Sequence, residues 1–149
     1  MISIAVQNDD FQVQKEYDAL CEHNCDDGAV VFFVGRVRDY NDGDTVLDMT
    51  LEHYPGMTEK TLTEIVNQAK DRWELNRVRV VHRVGALKPA DQIVFVGVSS
   101  PHRQAAFDGA QFIMDFLKTQ APFWKKESTK MGDRWVEAKA VDQVKSQSW

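Results

Sequence analysis

The run from Ser99 to Glu127, SSPHRQAAFDGAQFIMDFLKTQAPFWKKE, constrains the chain most, because it predicts one long helix with a defined start, face and stop. The Ser100 hydroxyl can accept from a free N–H of the first turn, and Pro101 suits the first helical position, where no N–H is needed. Ala106, Ala110, Ile113 and Leu117 recur at helical spacing beside Phe112 and Phe116, so one broad face is buried, and Pro122 ends the run. Arg103, Phe107, Gln111, Met114 and Lys118 fall within about a quarter of the circumference on the remaining side. Lys118 closes the helix, and Lys125 and Lys126 follow the aromatic pair Phe123 and Trp124. A lysine at a helix C-terminus is mildly stabilising in any protein. Lys118 and Lys125, separated by an Ala-Pro-Phe-Trp segment, also offer amines beside apolar walls. Desolvation there lowers a lysine pKa and makes it a usable acid, base or nucleophile.

The other segments read as a platform for this helix. Ile2 to Val6 alternates as a strand, and Asp9 or Asp10 can cap a helix running to about His23. Ala29 to Val37, AVVFFVGRV, is a continuous apolar run, the pattern of a central strand buried on both faces. Arg36 and Arg38 share one parity at its end, next to the turn-rich DYNDGD; strand-end arginines are often simply solvated. Leu47 to Tyr54 alternates as a further strand, and Thr58 opens a helix with an apolar stripe through Leu62, Ile65, Val66, Ala69 and Trp73. Val78 to Val84 and Ile93 to Val98 read as strands, and a histidine such as His82 is more often a packed or half-exposed residue than a ligand. Trp124 to Ser128 and Arg134 to Ala138 read as a closing hairpin, and residues 141–149 as a frayed end. The order βαββαββαββ, with about three helices, indicates a single α+β domain over residues 1–149 with a mainly antiparallel or mixed sheet.

Composition narrows the function. A net charge of -5 argues against a nucleic-acid binder, so any anion site must be local. The N-terminus lacks a signal-peptide pattern and no apolar run approaches a membrane span, so a cytoplasmic protein with no membrane association is expected. Cys21 and Cys25 flank His23, but no second ligand pair follows at a zinc spacing, so no metal site is expected.

The segments DGAVVFFVGRVRDYN, TLEHYPGMTEK, HRVGALKPADQIVFVGVSSPHR, FIMDFLKTQAPFWKKE and GDRWVEAK together resemble the MoaE family, the large catalytic subunits of molybdopterin synthases, over nearly the whole chain. The resemblance implies an α/β hammerhead fold and a sulfurtransferase with no cofactor of its own. Such an enzyme adds two sulfurs to cyclic pyranopterin monophosphate (precursor Z), giving the dithiolene of molybdopterin in molybdenum cofactor biosynthesis. It implies a partner, a small ubiquitin-like sulfur carrier ending in a Gly-Gly thiocarboxylate, and a large-subunit homodimer within a heterotetramer. By the same resemblance Lys118 and Lys125 are the catalytic lysines and Arg38, His102 and Arg103 bind the pterin and its phosphate. Arg36, Lys126 and Glu127 flank that pocket, and Met114 is a further candidate. The basic residue of the WVEA segment, arginine in some relatives, is Lys139 here, which keeps charge but loses bidentate geometry. A non-catalytic scaffold docking a ubiquitin-like protein, and a phosphometabolite sensor, are the rival readings; turnover separates them from the enzyme.

Helix length adds one expectation. Arg103 and Lys118 share a face, yet fifteen residues at about 1.5 Å each place them roughly 22 Å apart along the axis. A single small ligand cannot reach both, so a pocket composed from two chains is expected.

Overall fold

The computed structural model describes residues 1–41, 44–130, 132–136 and 140–149. In chain order the elements are β1 (Ile2–Gln7), α1 (Val13–Cys21), β2 (Ala29–Arg36), β3 (Tyr40–Asn41), β4 (Asp44–His53), α2 (Met57–Arg72) and β5 (Arg77–Arg83). They continue as β6 (Gly85–Leu87), β7 (Gln92–Ser100), α3 (Arg103–Gln120), β8 (Phe123–Thr129), β9 (Gly132–Val136) and α4 (Ala140–Gln147). Two sheets organise them. The first has the order β1-β5-β7-β2, with β1 parallel to β5 and the other pairs antiparallel. The second runs β3-β4-β8-β9, with β6 also paired to β4. The α+β class read from the element order is what the chain adopts.

The pleat explains the layering. On β7, Val94, Val96 and Val98 share one face and pack with α2 and α3, through Leu62, Ile65, Val66, Ala106, Ala110 and Ile113. Phe95 points the other way and joins Phe11, Leu20 and Val81 under α1. Burying Ile113 or Leu117 contributes about 2 kcal/mol each. A lysine at the helix end contributes about 0.3–1 kcal/mol. The apolar face therefore fixes α3 in place, and the Lys118 end is left free for chemistry.

Four expectations change. β2 is an edge strand, not a central one: its apolar run meets α1 and α3 on its faces but, among the described residues, has a strand neighbour on one side only. Phe32 and Phe33 consequently stay 42% and 44% exposed. α3 begins at Arg103 with His102 as its N-cap, because the β2–β7 ladder holds Ser100 in extended pairing with Ala29. The Ser100 hydroxyl accepts instead from the His102 N–H at 3.1 Å. Similarly, α1 starts only at Val13, and Asp10 accepts from the Phe11 N–H ahead of it. Finally, residues 141–149 are not frayed. Ala140–Gln147 forms a fourth helix packed on α3. Beyond it Trp149 packs edge-on against Phe112 and Trp73 and donates its indole N–H to Asp115 Oδ2 at 2.5 Å.

Candidate active site

The cation-bearing segments meet where the two sheets and the end of α3 converge. The β2–β7 ladder shifts register between Gly35 and Arg36, a bulge that re-aims the strand as it leaves the sheet. Two backbone bonds tie its continuation to the Lys88–Asp91 turn: the Val37 N–H donates to Asp91 O at 2.9 Å, and the Ala90 N–H to Val37 O at 2.8 Å. Arg36 Nε donates to Ala90 O at 3.3 Å. β8 is held by β4, with Leu51 opposite Lys125, and its alternation turns Phe123, Lys125 and Glu127 inward. The last turn of α3 supplies Lys118.

Together these residues line a cavity of about 560 Å³ with Phe33, Arg36, Arg38 and His82 among its walls and Met49, Leu51 and Leu117 among its apolar contacts. Asp142, from α4, reaches the same space. Among the described residues no three His, Cys, Asp or Glu side chains converge as a metal site.

The electrostatics follow from burial. Desolvation lowers the Lys125 pKa from 10.5 to about 8, helped by the charge of Lys118 and a side-chain hydrogen bond with it, while Asp142 and Glu127 oppose the shift. An amine can accept from a neighbouring ammonium only after losing its own proton, so this lysine pair favours one charge over two. Glu127 is buried, with Arg134 Nη2 3.6 Å from its carboxylate. His82 is driven by burial to a pKa of about 3, against the opposing effect of its bond to the Arg83 backbone, with Lys125, Lys118 and His53 lowering it further. It is a neutral imidazole at the cavity wall.

Of the residues expected at the site, Lys118, Lys125, Arg36, Arg38 and Glu127 are brought together. His102 and Arg103 lie at the opposite end of α3, where His102 Nε2 is 3.9 Å from Glu74. Lys126 has the opposite pleat to Lys125, with its amine 3.7 Å from Asp133 and over the Trp135 ring. Met114 is packed in the core formed with α2. Lys139 lies outside the described residues. The sequence reads His82 as a packed or half-exposed residue and not as a ligand, and leaves Asp142 in a frayed end, yet both line the cavity. The parity of His82 with Val78 and Val80 was a readable signal for the helix-facing side; for Asp142 there was none.

Comparison with known proteins bears on the fold and the family. The model of the family described as MoaE protein matches residues 6–120. The molybdopterin synthase catalytic subunit of Escherichia coli K12 is 58% identical over 146 residues, covering 98% of this chain and 97% of that protein. Among solved structures, the molybdopterin biosynthesis MoaE protein of Burkholderia ambifaria MC40-6 superposes with a TM-score of 0.86 at 49% identity, covering 100% of this chain and 98% of that one. Molybdopterin synthase from Staphylococcus aureus gives a TM-score of 0.82 at 31% identity, over 89% of this chain and 95% of that one. With a family model spanning most of its length and relatives this similar from end to end, the chain belongs to the MoaE family.

Proposed function

We propose that the chain is the large, catalytic subunit of a molybdopterin synthase, a sulfurtransferase that takes sulfur from the thiocarboxylated tail of a small ubiquitin-like carrier and adds it to precursor Z. The observation that carries this reading is the convergence of Lys118, Lys125, Arg36 and Arg38 on one cavity. A cyclic phosphate and a thiocarboxylate are both anions, and a pocket that holds them together needs cations to offset their repulsion. The two arginines suit phosphate oxygens through their forked donors. Lys125, its pKa lowered to about 8, can release a proton near neutral pH, and Lys118 brings a second amine to the same cavity, which suits proton transfer and stabilisation of charge as sulfur adds and the acyl carrier leaves. The sulfur comes from the carrier, so neither Cys21 nor Cys25 is required.

The length of α3 supports a composite site in a two-fold homodimer, with His102 and Arg103 of one protomer completing the cavity of its partner. One carrier per large subunit then gives a heterotetramer. Purified protein, thiocarboxylated carrier and precursor Z should yield a dithiolene product. A stable complex that forms without turnover would instead make the chain a docking scaffold.

A further inference from the structure

The cavity is lined by one histidine, His82, that the roles above leave unused. His82 is 4% exposed, on the helix-facing side of β5. Its ring lies flat on Phe123, centroids 3.8 Å apart and planes 18° from parallel, so the first sheet touches the second through this stack. Its Nδ1 is 2.8 Å from the Arg83 carbonyl oxygen. A carbonyl only accepts, so Nδ1 must carry the proton and Nε2 must be the bare acceptor. Ring stack and backbone bond together fix both the orientation and the tautomer.

Among the described residues Nε2 has no hydrogen-bond partner, although His82 lines the cavity that holds Lys118 and Lys125. An acceptor held in one orientation at a cavity wall can take a donor from whatever fills the cavity. A neutral lone pair is also the wrong feature for an anion, which the neighbouring cations already suit. Acid–base catalysis is a poor match too, because burial and the nearby Lys125 keep the ring far from protonation near neutral pH.

We propose that His82 is a substrate-binding residue whose Nε2 accepts a hydrogen bond from a neutral N–H or O–H donor of a ligand seated in the cavity. Resting on the function proposed above, this gives the pocket a second kind of recognition: the cations hold the anionic groups, and His82 reads an uncharged donor beside them. Two ligands could present it, the ring N–H groups of a pterin or the backbone N–H groups of the carrier tail. A site that positions an acceptor for a ligand donor rejects analogues that lack the donor, because a bound analogue displaces water and leaves the acceptor unpaired.

The test uses His82→Phe, which keeps a flat ring against Phe123 and removes the acceptor, and His82→Gln, which offers a carbonyl oxygen in its place. Affinities for precursor Z and for the carrier protein are titrated separately. His82→Phe should weaken binding of one of the two by about ten- to hundred-fold. His82→Gln should recover part of the loss, and the ligand affected identifies the donor. Should His82→Phe not fold, the wild-type protein still decides the matter through nitrogen NMR of labelled histidine. Between about pH 5 and 8 the His82 ring should stay neutral, and its Nε2 resonance should move when one ligand is added. Unchanged affinities for both ligands in a folded His82→Phe protein, or an Nε2 resonance indifferent to both, would overturn the assignment while leaving the synthase reading intact. Wild-type protein that binds neither ligand would overturn both.

Discussion

Lys118 and Lys125 line one cavity but are held very differently. Lys118 is exposed at the end of a helix whose apolar face does the anchoring. Lys118→Ala should therefore abolish most turnover while shifting stability by about 1 kcal/mol or less. Product formation near the wild-type rate, in protein of normal unfolding midpoint, would remove Lys118 from the mechanism. Lys125 carries its cost of burial in the folded state. Its pKa falls from 10.5 to about 8, so between those values the unfolded chain binds the extra proton and the folded chain does not. Stability should accordingly be penalised below about pH 8 and rise as pH climbs towards 10.5, by up to about 3 kcal/mol relative to a Lys125→Met reference. Denaturant midpoints of the two proteins across this range check it; parallel curves would mean that Lys125 is not buried as described. The anion-binding character of the cavity was legible from Arg36, Arg38, Lys118 and Lys125 as residue types. The inward aim of His82 was not, because it depends on the distant Phe123.

At the scale of elements, periodicity carried α2, β5, β7 and the β8–β9 hairpin, each of which has a clear apolar pattern of its own. It failed where a neighbour decides the outcome. The apolar run of β2 reports cover on its two faces but says nothing about whether a strand lies beyond it. α4 has hardly any signal: eight residues long, it leaves Val144 65% exposed. Its position is instead secured by Trp149, through aromatic contacts and a bond to the buried Asp115. Trp149→Ala should cost about 2–3 kcal/mol, from lost packing and a carboxylate deprived of a donor. Trp149→Phe, which retains a ring, should cost about 1 kcal/mol. Urea unfolding of the two variants reads this directly. A Trp149→Ala change within about 0.5 kcal/mol of wild type would show that the segment is not docked in solution. Docking matters to the site because α4 carries Asp142, which opposes the lowering of the Lys125 pKa.

For the whole molecule, the separation of His102 and Arg103 from the cavity makes subunit exchange informative. A Lys118→Ala chain and an Arg103→Ala chain, each inactive alone, should regain partial activity when exchanged into heterodimers, since one site per pair then receives both intact contributions. Verified heterodimers as inactive as either parent would place the complete site within one chain. The topology of the first sheet has a separate consequence, for the rate at which the chain reaches its native state. Ile2 pairs with Val78, 76 positions on, and the β2–β7 ladder runs from Ala29–Ser100 to Arg36–Gln92, 71 to 56 positions apart, so two of its three strand ladders join distant parts of the chain. Only β5 and β7 meet locally, and the others must close long loops before any pairing rewards them. Refolding should be slow for a chain of this size, on the order of milliseconds to seconds. Throughout that interval the AVVFFV run of β2 is exposed, so its recovery from denaturant is governed by how dilute the chains are when they collapse.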